Sequence, residues 1–100
     1  MAAERYVVLM GLEVTDDASY ARYRAGMTPI LQALGGSFLY DFAVAKVLKG
    51  DARINRVFAI SYPDRATRAR LYEDERYRAV RKEFFEPAVA STTLLAEFSQ

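Results

Sequence analysis

The chain has 100 residues, 52% of them hydrophobic, with 14 Lys and Arg against 13 Asp and Glu. A net charge of +1 gives no general pull toward nucleic acid or an anionic membrane, and no run of about 18 apolar residues is present to span a bilayer. With neither cysteine nor histidine, disulfides, thiolate nucleophiles, Cys- or His-bound metal and the commonest general base are excluded, so any chemistry falls to carboxylates, Lys, Tyr, Arg or a bound reagent.

Arg5 to Val14, RYVVLMGLEV, reads as a central β-strand. Successive side chains on a strand point to opposite faces, and here both faces are largely apolar: Tyr6, Val8, Met10, Leu12 and Val14 on one, Val7, Leu9 and Gly11 on the other. Such a strand needs cover on both sides. The start, MAAERYVV, lacks the basic and apolar regions of a signal peptide, so a cytoplasmic protein is expected, folded as one domain over residues 1–100.

Thr15 or Asp16 can cap the helix that follows, with Asp17 at the positive end of its dipole. Tyr20, Tyr23, Met27, Ile30, Leu31 and Leu34 recur at three- and four-residue steps and mark one buried stripe. Pro29 lies inside it and predicts a kink, or two short helices with Thr28 as the second cap. Gly35-Gly36 ends the element. A long second strand is predicted over SFLYDFAVAKVLKG, a turn at Gly50-Asp51, and a third strand over INRVFAISY, Ile54 to Tyr62, so residues 37–62 read as a hairpin.

Pro63 stops that strand and Asp64 can cap a second helical region. Two apolar stripes slightly out of phase, Ala66, Ala69, Leu71 and Tyr72, then Tyr77, Val80, Phe84 and Ala88, predict a break, with Asp74 as a second N-cap. Six arginines and one lysine between Asp64 and Glu86 face six acidic residues, the pattern of a solvated helix face laced with i,i+4 pairs and not of a nucleic-acid stripe. Thr92 to Phe98, TTLLAEF, is the last strand. The order β-α-β-β-α-β is the split βαβ, ferredoxin-like pattern: a four-stranded antiparallel sheet with the first and third strands central and both helices on one face.

Strict alternation assigns Tyr6, Val8, Met10, Leu12, Phe38, Tyr40, Phe42, Phe58, Ile60, Tyr62, Leu94 and Phe98 to the helix-covered face. It leaves Val7, Leu9, Gly11, Leu39, Asp41, Ala43, Ala45, Val57, Ala59, Ser61 and Leu95 on the other. Four strands of about six residues present roughly 400 Å² per face. An apolar patch of that size is rarely left wet, and covering it contributes on the order of 10 kcal/mol before the costs of association. Two residues follow the last strand, too few to cover it, so a second copy packed sheet to sheet is the expected partner.

Asp41 stands out as the candidate catalytic residue. On the open face it would be a general base or ligand anchor beside Ser61, with Gly11 and Ala59 leaving space; the alternative is a structural hydrogen bond across the dimer or a solvated edge residue. Tyr20, Tyr23, Arg24, Tyr62 and Tyr77 can line a pocket between helices and sheet in which Arg24 holds a carboxylate or phosphate, or they are core residues with satisfied hydroxyls. Lys46 and Lys49 read as a solvated strand end. Asp16-Asp17 reads as a helix cap and not a metal pair, and no Gly-rich phosphate loop is present. No metal and no cofactor is expected.

VLMGLEVTDDASYARYRAGMTPILQALGGSFL resembles the opening of domain-of-unknown-function family 1330, and YPDRATRARLYEDERYRAVR resembles that family's second helix, where an aromatic pair, here Tyr72 and Tyr77, brackets a short acidic turn. The resemblance covers nearly the whole chain and implies a dimeric α/β barrel, two ferredoxin-like subunits packed sheet on sheet. The chain departs from the family where Arg-Gly-Gly is replaced by Asp41-Phe42-Ala43 and a glutamate near the end of the third strand by Ser61. Superfamily relatives include cofactor-independent oxygenases, isomerases, decarboxylases and haem proteins. Three readings follow: a homodimeric binder of a small, partly apolar molecule; a cofactor-independent enzyme using Asp41 or a tyrosine; and a structural or interaction dimer without a ligand. None involves nucleic acid or membrane.

Overall fold

The computed structural model describes residues 4–100. Strand β1 (Tyr6–Val14) leads through helix α1 (Asp17–Ala33) to β2 (Ser37–Ala43) and β3 (Arg56–Tyr62). Helices α2 (Arg65–Glu73) and α3 (Glu75–Val80) follow, the latter continuing into a wider π-helical turn, Arg81–Phe85, before β4 (Val89–Ser99). The sheet runs β2-β3-β1-β4, every neighbour antiparallel, which puts the first and third strands in the centre.

Local chemistry accounts for the helix ends. The Asp16 carboxylate accepts from the Ser19 N–H, Asp64 from that of Thr67 and Asp74 from those of Arg76 and Tyr77, each taking up donors that a first helical turn leaves free. Asp74 therefore divides the second helical region, as its two apolar stripes require. At the end of α1 the Gly36 N–H reaches the Leu31 carbonyl and the Gly35 N–H that of Gln32, a Schellman closure in which Gly35 takes a φ of +84°. Pro29 does not split α1 into two helices. One continuous helix contains it, and the burial of Met27, Ile30 and Leu31 around it outweighs the lost N–H.

The second strand is shorter than expected. It ends at Ala43, and residues 44–55 form a loop whose Leu48 is fully out in solvent. Asn55 closes that loop: its side-chain amide exchanges two hydrogen bonds with the Val14 backbone (2.8 and 2.9 Å), standing in for a ladder pair, so β3 begins at Arg56 and not Ile54. The last strand starts earlier than expected, at Val89.

Helices α1–α3 and the π turn pack on one sheet face against Tyr6, Val8, Leu12, Phe58, Ile60 and Tyr62. Strict alternation fails in both edge strands, because β2 carries one bulge and β4 two, at Leu95 and at Ala90. In β2 Phe38 pairs with Ile60 but Tyr40 pairs with Ala59, so Leu39 is an extra residue and the parity changes after it. Asp41 then sits opposite Phe58, on the helix face, while Tyr40 and Phe42 turn to the open face. In β4 Leu95 is the extra residue between Ala96 and Leu94, which places Phe98 beside Val7, also on the open face. The assignments of Tyr40, Phe42 and Phe98 to the core, and of Asp41 and Ala43 to the open face, are thereby reversed. Leu94 pairs with Met10, which puts it on the helix face as expected, yet it stays half exposed on the edge strand.

Candidate functional site

Asp41 is the most tightly held polar side chain of the sheet. The Arg24 Nε, one helical layer above, donates to one carboxylate oxygen at 2.5 Å, and the Arg56 Nε, from the neighbouring strand, to the other at 2.6 Å. The Tyr20 hydroxyl adds a third donor at 3.1 Å. Each guanidinium also lies over a ring: Arg24 3.5 Å from the Phe38 centroid, Arg56 4.8 Å from that of Tyr20. Arg24 further donates to the Thr28 hydroxyl one turn along α1. The carboxylate is 8% exposed and its arginines about a quarter exposed. With both oxygens occupied, this is an anchored ion cluster that ties α1 to the bulged edge of the sheet.

Ser61, expected beside Asp41, faces the opposite side of the sheet. Its hydroxyl accepts from the Arg5 Nε at 2.6 Å, and the same guanidinium reaches the Gly35 carbonyl at 2.8 Å, fastening the end of α1 to the start of β1. The space expected at Gly11 is filled, since a Cβ there would stand 3.0 Å from Ile54 Cδ1 and 3.4 Å from Leu95 Cδ1.

Tyr23, Tyr62 and Tyr77 are brought together, but in the core. The Tyr23 and Tyr77 hydroxyls share a hydrogen bond of 3.0 Å, and the Tyr23 ring packs 4.7 Å from Phe85. Burial pushes the Tyr77 hydroxyl up to about 12, with the Tyr72 hydroxyl adding to the shift, and raises Tyr23 and Tyr62 as well. At neutral pH all three are protonated, so they offer hydrogen bonds and do not act as bases. Tyr20 is raised in the same sense, by burial first and then by the Asp41 charge. The six candidates thus divide into an ion cluster (Arg24, Asp41), a tyrosine core (Tyr23, Tyr62, Tyr77) and a strand-end tether (Ser61).

The open face is apolar as expected, and it also carries Tyr40, Phe42 and Phe98, which strict alternation places under the helices. Leu39, Tyr40, Phe42, Leu95 and Phe98 are between 43% and 65% exposed there. A hollow of about 310 Å³ opens among Val7, Leu9, Leu39, Tyr40, Ala59 and Phe98. Small side chains on the central strands form its floor and large ones on the bulged edges form its walls. Arg56, Tyr40 and Phe98 carried no individual signal in the sequence, because their roles depend on bulges that composition does not mark. Among the described residues no group of three or more acidic side chains gathers in a metal-ligand arrangement, and no helix is long and apolar enough to cross a membrane.

A family model described as a domain of unknown function, DUF1330, matches residues 4–98. The fold is similar to a protein of unknown function from Rhodopseudomonas palustris, with 20% identity, TM-score 0.78, and coverage of 97% of this chain and 82% of that one. It is also similar to a dimeric ferredoxin-like protein of unknown function from Jannaschia (12% identity, TM-score 0.61, 96% and 97% covered). A dabb family protein with a ferredoxin-like fold from Mesorhizobium loti matches at 12% identity and TM-score 0.61, with 97% and 95% covered. No curated protein matches.

Proposed function

For this chain, which belongs to the DUF1330 family, we propose a homodimer that joins through the open sheet face and holds a small, partly apolar molecule against it. The observation that carries this reading is the row of exposed Leu39, Tyr40, Phe42, Leu95 and Phe98 around a hollow of about 310 Å³. Apolar surface concentrated on one face is the signature of an interface, and a concave apolar site with a few polar groups at its edge suits a small ligand. The similar Jannaschia protein is described as dimeric, which supports a second copy as the cover. Binding without turnover is favoured because Asp41 is taken up by three donors and the buried tyrosines keep their protons.

Native mass spectrometry of protein purified without denaturation tests both halves. The expected result is a dimer mass carrying a small non-covalent adduct. The double variant Tyr40→Arg with Phe42→Asp should give folded monomer and lose the adduct. A wild-type protein that stays monomeric at micromolar concentration refutes the dimer, and a dimer with no adduct, from its own host and with no response to added apolar ligands, refutes the binding role.

A further inference from the structure

On the opposite side of the sheet, helix α2 leaves a groove over the start of β1, and its charge pattern differs from the rest of the surface. The groove measures about 260 Å³ and is lined by Tyr6, Arg65, Arg68, Ala69 and Tyr72. Arg68 and Tyr72 stand four residues apart and therefore share a helix face, with the guanidinium 5.2 Å from the Tyr72 centroid. Arg65 lies 5.9 Å from the Tyr6 ring. The rings continue inward, Tyr6 to Tyr62 at 6.2 Å and Tyr72 to Tyr77 at 5.6 Å edge-on. The walls are aromatic, two cations sit at the rim, and none of the described residues lining the groove is acidic, although Glu97 contacts Tyr6 and Arg65 from outside it.

The decisive detail is Arg68. Its Nε is fully buried and has no hydrogen-bond partner among the described residues, and it is the sole buried side-chain nitrogen or oxygen there in that condition. Among the described residues no acidic group pairs with the guanidinium. The other arginines near carboxylates are engaged: Arg24 and Arg56 with Asp41, Arg53 with Asp51, Arg76 with Asp74, and Arg65 with Glu97. A buried donor without an acceptor is rare in native structures and calls for a partner. In the neighbouring hollow, which shares Tyr6 and Arg65, Glu97 accepts from the Tyr6 hydroxyl and pairs with Arg65 at 3.3 Å, so among the described residues Arg68 is the groove cation left without a carboxylate.

We propose that this groove is a binding site for a small organic carboxylate with a planar apolar body. The carboxylate engages the Arg68 guanidinium, a side-chain rotation bringing Nε outward for a two-pronged grip, and the apolar body lies along Tyr6 and Tyr72. The site is separate from the sheet-face hollow and does not depend on the dimer.

The test is a titration of the intact protein with benzoate, followed by the Nε–Hε signals of its arginines in proton–nitrogen NMR. Benzyl alcohol and inorganic phosphate serve as the uncharged and the non-aromatic probe. The expected result is a saturable shift of the Arg68 signal with benzoate and at least about tenfold weaker binding of the other two probes. Arg68→Gln should lose at least about tenfold in benzoate affinity, while Arg53→Gln, on the far loop, should bind as the parent does. Absence of a saturable shift, unchanged affinity in Arg68→Gln, or equal binding of phosphate or benzyl alcohol would each overturn the proposal.

Discussion

Asp41 shows how one carboxylate can be recognised by type and still be misplaced by position. A charged residue between Tyr40 and Phe42 announces itself in the sequence, and its need for a cationic partner follows from burial alone. Which partner, and on which face, does not follow. Two arginine Nε donors at 2.5 and 2.6 Å make it a structural hub. Asp41→Asn should therefore destabilise the fold by about 2 kcal/mol, because it strands two part-buried guanidinium groups. A urea midpoint that falls with an unchanged slope would show this; a shift within about 0.5 kcal/mol would mean that solvent holds the arginines just as well. The buried tyrosines make a second prediction, in the opposite pH direction to acid-labile carboxylates. Their folded-state pKa values lie above the ordinary 10.0, with Tyr77 at about 12. The stability they allow is thus complete below about pH 10 and is lost as pH rises through about 12. Tyrosinate absorbance should appear together with unfolding; absorbance rising fully before loss of structure would contradict it.

Elements were more legible than faces. The caps at Asp16, Asp64 and Asp74, the Gly35-Gly36 closure and the order of strands and helices all follow from short-range chemistry, and each is present. The bulges were not legible, because one extra residue in an edge strand leaves no compositional trace while reversing the side chains beyond it. Leu39 reverses Tyr40 through Ala43, and Leu95 reverses Phe98. That single kind of error moved the candidate base into the helix layer and hid the size of the apolar open face. The β2 bulge makes a direct prediction. Deleting Leu39 restores regular pairing, turns Asp41 away from Arg24 and Arg56, and drives Tyr40 and Phe42 against them. The cost should be on the order of 3–5 kcal/mol, comparable to breaking a buried ion pair, with loss of amide-exchange protection concentrated in β2. A deletion variant with wild-type stability and protected β2 amides would mean that the bulge is incidental.

At the scale of the whole molecule, the two sheet faces make different demands. One is closed by α1–α3 and the π turn, and its cluster runs from Tyr6 to Ala88. The other leaves Tyr40 65% and Phe42 49% exposed, although Val7 and Ala59 beneath them are almost fully covered. Those large side chains shield the small ones, so each copy keeps an intact sheet while offering an apolar surface to another. If two copies meet there, folding and association are linked, and stability must depend on concentration. Each tenfold increase in protein adds about 1.4 kcal/mol to a dimer relative to its unfolded chains, which for two chains of this length corresponds to a rise of roughly 2–4 °C in Tm. Tyr40→Arg with Phe42→Asp should abolish that dependence while leaving the helix-face core untouched. A Tm that stays constant over a hundredfold range in wild-type protein, from below to well above micromolar, would mean that the open face is wetted and the fold is complete in one copy.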